Sequence, residues 1–224
     1  MTITVHADLE QGTDEWRQAR LGIVTASVVG QLVTPTLKVA SNQTSRAIVR
    51  ELVAERITGH AGDSFVSFDM ARGWDDEPRA RDIYSQHFAP VQEVGFITRD
   101  DWGFRIGYSP DGLVGDDGLI EIKSRLAKHH LATVLDGEVP PEYMAQIQTG
   151  LLVSDRKWCD YLSYCGGMPL YRIRVHPDPD WQAAIVAAVE AFEFAATAMT
   201  VMYYERVAGL PMTERIDYDQ EIEI

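Results

Sequence analysis

The sequence predicts a mixed α/β fold in which a mixed central β-sheet is flanked by helices, and three observations carry that expectation. Helix-period segments with capping residues dominate residues 1–90. Alternating, turn-bounded segments occupy residues 91–175 and enclose two more helical stretches. A long apolar helix then covers 178–207. With 224 residues and 46% apolar content, the chain can bury one sizeable core. No Pro- or Gly-rich linker divides it, so a single domain over 1–224 is expected, ending in an acidic tail at 208–224.

The elements follow from local signals. Thr13 is a good N-cap, Asp14 and Glu15 sit where the helix dipole favours acids, and Gly22 closes a helix over 14–21. Thr25, Ala26 and Ser27 begin another, to about Val33, which Thr34, Pro35 and Thr36 end. Ile48, Leu52, Val53 and Ile57 fall at helical spacing in 41–58, with Gly59 beyond the C-terminus. Residues 68–88 form a helix carrying Glu77, with Pro78 marking the first turn of its main segment. Strands are expected at 91–98 and 104–108, helices at 124–135 and 142–153, and strands at 157–164 and 170–175.

The chemistry is concentrated between Tyr108 and Lys123, which reads as a hairpin with an acid on each arm. Gly115, Asp116, Asp117 and Gly118 supply the turn, since Gly and Asp tolerate positive φ. Asp111 opens the first arm. Glu121 and Lys123 share one face of the second, because residues i and i+2 of a strand point the same way, and Ile120 and Ile122 enter the core on the other. Two carboxylates suit Mg²⁺ or Mn²⁺, completed by waters and a substrate phosphate, and a lysine beside them can orient or deprotonate an attacking water. This points to metal-assisted phosphodiester hydrolysis. An acid at a turn with Glu-x-Lys on the wet face of a strand is the ordinary alternative.

Composition narrows the class. The first residues lack a basic n-region and an apolar h-region, and the apolar run 183–202 is interrupted by Glu190 and Glu193, so no membrane association and a cytoplasmic location are expected. Two cysteines, Cys159 and Cys165, read as free thiols and cannot make a four-ligand zinc or iron-sulfur site. The net charge of −14 is awkward for a nucleic-acid binder. Much of it is local: from Asp178 onward ten acids face only Arg206 and Arg215, which leaves −6 for residues 1–177. A basic groove on an acidic body remains possible, with metals neutralising the site.

Four motifs, in one order, resemble the phage lambda exonuclease family, the YqaJ-like viral recombinases and alkaline exonucleases. Gly12 to Trp16 followed by Arg20, Gly22 and Thr25-Ala26-Ser27 resembles its N-terminal signature. Gly73 with Glu77 four residues on is similar to its acidic helix. Ser109-Pro110-Asp111-Gly112 with Glu121-Ile122-Lys123 matches its hairpin, and Tyr143-Met144-Ala145-Gln146-Ile147-Gln148 its Tyr-x-x-Gln-x-Gln helix. The motifs span most of 11–164. Residues 34–46 and the tail after Thr213 have no counterpart.

The resemblance implies a restriction-endonuclease-like core. In it Asp111, Glu121 and the Ile122 carbonyl bind metal, in all two Mg²⁺ ions with Mn²⁺ as a substitute. Lys123 stands at the nucleophilic water, Glu77 supports the site, and Gln146 is the active-site glutamine. It further implies 5′-to-3′ degradation of one strand of linear duplex DNA, leaving a 3′ single strand for an annealing protein, by a ring-shaped homotrimer of phage or prophage origin. Arg20 and Ser27, with Ser109 as a weaker third member, then make a 5′-phosphate pocket, since a planar fork and hydroxyls suit a terminal phosphate; otherwise they are a surface arginine and a cap. Trp16 reads as packing. Gln146 and Gln148 point roughly 200° apart on a helix, so only one faces the site. An endonuclease on the same core and a non-catalytic DNA-end-binding subunit are the competing functions, and a glycosidase using Asp111 and Glu121 is more distant.

Overall fold

A computed structural model describes residues 2–62 and 68–215, so the acidic tail from residue 216 on lies outside the described residues. The expected mixed α/β class holds, with eight strands and seven helices among those residues. The strands divide into two four-stranded sheets, where one central sheet was expected. The first joins β1 (Ile3–His6), β3 (Phe96–Arg99), β4 (Ile106–Tyr108) and β2 (Val24–Thr25) in that order. The second runs β5 (Gly112–Val114), β6 (Gly118–Ser124), β7 (Trp158–Tyr164), β8 (Tyr171–Val175). Each mixes parallel and antiparallel pairs: β2 with β4 and β6 with β7 are parallel. The division falls between Tyr108 and Gly112, where Pro110 cannot donate to a ladder.

The helices follow their signals closely. Thr13 caps α1 (Asp14–Arg20), its hydroxyl accepting from the Trp16 N–H. Asn42 and Ser45 form a capping box on α3 (Gln43–Thr58), which Gly59 ends at φ 73°. α4 spans Phe68–His87 and runs through Pro78, so Pro78 does not begin a segment. The carbonyl that Pro78 leaves without an N–H belongs to Trp74, which is 59% exposed, and water can satisfy it. α2 is a single turn, Ala26–Val29, ended at Gly30, rather than a helix to Val33. α5 (Ala127–Asp136) and α6 (Pro141–Ser154) start within three residues of expectation.

α6 is the central helix, packing on β3, β4, β6 and β7 and against α2 and α7 (Pro179–Val207). Its Gly150 permits a close approach: a Cβ there would lie 2.7 Å from the Tyr108 ring. α7 is long and apolar enough in composition to cross a membrane. Ala184, Ile185, Ala188, Val189, Phe192 and Ala196 nonetheless bury one of its faces in the main core, as a core helix does. Both cysteines are free thiols.

Asp160 locks the second sheet to α4. Its carboxylate is fully buried and accepts from Tyr84 Oη at 2.7 Å, Arg174 Nε at 2.8 Å and Arg172 Nη1 at 3.2 Å. Burial alone would raise its pKa, but the bonds from Arg174 and Tyr84 and the charges of Arg174 and Arg172 outweigh it and hold the group below its ordinary value. A folded-state pKa below the unfolded one stabilises the fold above the unfolded pKa and loses that contribution as pH falls through the folded value. Asp160→Asn should therefore cost about 1–3 kcal/mol at pH 7. Urea unfolding at pH 7 and at about pH 3 checks this, the gap to wild type narrowing at the lower pH.

Candidate active site

Glu121, Lys123, Asp111 and Glu77 come together where β6, the entry to β5 and α4 meet. Burial on both faces of β6 decides the environment. Ile120 and Ile122 enter the smaller core with Ala80 and Tyr84, and Leu119 joins the main core, so the face carrying Glu121 is dry. Glu121 is 0% exposed. Its Oε1 accepts from Lys123 Nζ at 2.7 Å and its Oε2 from Tyr108 Oη at 3.4 Å. Lys123 Nζ also donates to Gln146 Oε1 at 3.2 Å. Gln148 instead accepts from the Asp178 N–H and donates to the His176 carbonyl, each at 2.9 Å, so Gln146 is the glutamine that faces the site.

β5 pairs with β6 only as far as Gly112 opposite Ile120. Beyond it, Asp111 Oδ2 takes the place of a strand and accepts from the Ile122 N–H at 2.6 Å. A strand residue's N–H and C=O leave on the same edge, so the Ile122 carbonyl is directed to the Asp111 side, as a ligand at this edge would require.

The electrostatics are those of a site short of positive charge. Burial and then the charges of Glu121 and Glu77 push the Asp111 carboxyl well above its ordinary value, against Lys123 and the Ile122 N–H. Burial also raises Glu77, with Arg81 opposing. Burial would lower Lys123, but Glu121 and Asp111 together overcome it and raise the ammonium pKa. Lys123 is thus a cation held by Glu121 and Gln146, placed to orient water or neutralise charge. Asp111 and Glu121 share one lysine while Arg81 serves Glu77, a carboxylate crowding that a hard divalent cation would relieve, so the donor set fits Mg²⁺ or Mn²⁺. Among the described residues no three acid, His or Cys side chains cage an ion unaided. The Ile122 carbonyl, waters and a substrate phosphate would complete the shell.

A second cluster stands beside it. Arg20 Nη1 donates to Ser109 Oγ at 2.7 Å, and Arg20 Nη2 reaches Ser27 Oγ at 3.5 Å. The Trp16 ring covers the guanidinium at 4.1 Å, and its indole N–H donates to Ser109 Oγ at 3.0 Å. Burial pushes Arg20 down to about 10, with Glu55 opposing, yet the group stays charged at neutral pH. Its side-chain hydrogen-bond partners are neutral hydroxyls, and the guanidinium is half-buried, a planar fork whose geometry suits an anion. Because α2 has one turn, the side chains and not a helix terminus define this pocket. One cavity of about 1070 Å³ is lined by Arg20, Ser27, Trp16, Trp74, Glu77 and Arg81. Pro110, the residue before Asp111, also lines it.

The candidate site residues therefore fall into two adjoining clusters: Asp111, Glu121, Ile122, Lys123, Glu77 and Gln146 in one, Arg20, Ser27 and Ser109 in the other. Sequence reasoning missed Tyr108, which donates to Glu121, and Arg81, which bonds Glu77 and the Asp111 carbonyl. Arg81 did carry a signal, its i, i+4 spacing from Glu77, but that spacing marks any helix ion pair.

An acidic hairpin arm with its lysine, set in a mixed α/β core beside the cavity that Arg20 lines, is an arrangement of the nuclease type. Residues 15–157 match the YqaJ-like viral recombinase domain, and the chain belongs to that family. Among solved structures it is similar to an alkaline exonuclease, LHK-Exo, from Laribacter hongkongensis, with 35% identity and a TM-score of 0.79 over 89% of this chain and 100% of that one. LHK-Exo in complex with dAMP matches at 36% identity with the same TM-score. A phage related exonuclease from Haemophilus somnus 129PT, 12% identical, shares the fold at a TM-score of 0.61 over 80% of this chain and 96% of that one. No curated protein sequence matches. The family and the alkaline exonuclease match support a DNA exonuclease role.

Proposed function

We propose that this protein is a Mg²⁺-dependent 5′-to-3′ exonuclease that hydrolyses one strand of linear duplex DNA and leaves 3′ single strands for an annealing protein in phage-type recombination. The observation that carries the reading is the cavity shared by Glu77 and the Arg20–Ser27 pair, because it supports a phosphate pocket beside the acid set. In this reading Asp111, Glu121 and the Ile122 carbonyl would hold the metal, two ions at full loading, and when bound it would supply Lewis acidity toward water and offset phosphodiester charge. Lys123, pinned by Glu121 and Gln146, orients the attacking water. Glu77 holds water from the α4 side. Arg20, Ser27 and Ser109 receive the terminal 5′-phosphate and so register the scissile bond without reading bases. LHK-Exo is a relative solved with dAMP, a nucleoside monophosphate of the kind this reaction would release.

Closed circular duplex separates this reading from an endonuclease on the same core. With Mg²⁺, linear duplex should be consumed and the covalently closed circle should survive; nicking or linearisation of the circle would refute exonuclease action. The enzyme, a phage or prophage protein by its resemblance, would act in the cytoplasm of a bacterial host. A homotrimeric ring around the duplex would give processivity, and exposed apolar side chains such as Leu131 and Leu135 on α5 and Phe194 on α7 are surfaces that assembly could cover. Sedimentation should then give a trimer that digests long duplexes without release. A stable monomer that dissociates after a few nucleotides would refute the ring and leave the chemistry intact.

A further inference from the structure

Arg81 has more to do than an exposed helix ion pair, because its side chain is only 13% exposed and its three arms leave in three directions. Nε donates to the Asp111 backbone carbonyl at 2.8 Å. Nη2 donates to Glu77 Oε1. Nη1 pairs with Glu93 Oε2 at 2.8 Å, and Glu93 is 70% exposed and lies outside the acid set. The guanidinium therefore ties α4, the start of the hairpin and the segment before β3 to one another at the point where the acids meet. Asp111 is held twice, its carbonyl by Arg81 and its carboxylate by the Ile122 N–H, which fixes both ends of the residue.

We propose that Arg81 is a positioning residue of the metal site, setting Asp111 and Glu77 in a fixed relation to each other, with Glu93 as its outer anchor. The inference rests on the reading that these acids surround Mg²⁺. Only a planar fork can serve the three partners at once. A lysine keeps the charge but is a single point on a flexible stem, so Arg81→Lys separates geometry from electrostatics. A metal site whose supporting bonds are lost binds its ion more weakly and turns over more slowly.

The test uses calorimetric Mn²⁺ binding in the absence of DNA alongside steady-state digestion of a blunt duplex. Arg81→Lys should weaken Mn²⁺ binding about tenfold and lower kcat about tenfold, with KM for duplex within about twofold, and excess Mn²⁺ should recover part of kcat. Glu93→Gln, a change at an exposed residue that leaves folding alone, should move both quantities the same way by less. Unchanged Mn²⁺ affinity in Arg81→Lys overturns the proposal, and so does a rise in KM at constant kcat, which would make Arg81 a DNA-backbone contact. If Arg81→Lys does not fold, Glu93→Gln decides alone, and wild-type Mn²⁺ affinity there overturns it. Wild-type protein whose Mn²⁺ binding is absent, or unaffected by Asp111→Ala, defeats the metal-site reading itself and takes this inference with it. A positive wild-type result with an unaltered Arg81→Lys defeats the inference alone.

Discussion

Asp111→Ala and Glu121→Gln should each reduce strand cleavage by at least about a thousandfold, since in the proposed mechanism several kcal/mol of metal-dependent stabilisation would disappear with either ligand. The two lesions differ in their surroundings. Asp111→Ala removes the acceptor of the Ile122 N–H and frees the strand edge beside the Ile122 carbonyl. Glu121→Gln keeps the volume of a fully buried side chain but removes the charge that holds Lys123. Lys123→Ala should also remove most activity and yet leave end binding in Ca²⁺ close to wild type, because Lys123 holds no metal. Cleavage rates with Mg²⁺, with circular dichroism to confirm folding, check all three. Near-normal turnover in any one of them removes that residue from the site.

Arg20→Ala should slow digestion of 5′-phosphorylated duplex by roughly ten- to a hundredfold, as expected for losing a charge-assisted hydrogen bond of about 1.5–3 kcal/mol. Digestion of 5′-hydroxyl duplex should change far less, so the preference between the two ends collapses. The reason is local: the cation is covered by Trp16, its side-chain hydrogen bonds go to the hydroxyls of Ser109 and Ser27, and a terminal phosphate carries more charge than an internal diester. Initial rates on matched ends at one salt concentration make the comparison. An equal loss on both ends would show Arg20 to be a general backbone contact or a packing residue.

The hairpin was legible because its information is local. A turn rich in Gly and Asp, with Gly115 at φ 51°, and a period of two fix which residues share a face. The dryness of that face was not legible, since it depends on α6 packing over β6 from far along the chain. The strands β1 and β2 escaped notice for a related reason: β2 has two residues, too few for any period, and finds its identity only by pairing with β4. The N-cap of α1 and the capping box of α3 were local and clear, whereas Gly30 cut α2 short where apolar Leu32 and Val33 suggested continuation. Arg81 shows the limit in the site itself. Its pairing with Glu77 could be read from spacing, but its bond to the Asp111 carbonyl spans 30 residues and exists only once α4 lies across the hairpin. Tyr108 is similar, because its hydroxyl reaches Glu121 in a geometry that Gly150, on a different element, makes room for.

Polarity and metal dependence are the heart of the account, and one digestion addresses both. Linear duplexes labelled on the same strand at either the 5′ or the 3′ terminus are incubated with the enzyme, with Mg²⁺ and with chelator. The label should leave the 5′ terminus at once as mononucleotide and the 3′ terminus only late, with no release under chelation. Early release from the 3′ terminus, or equal release with the metal removed, would contradict the account.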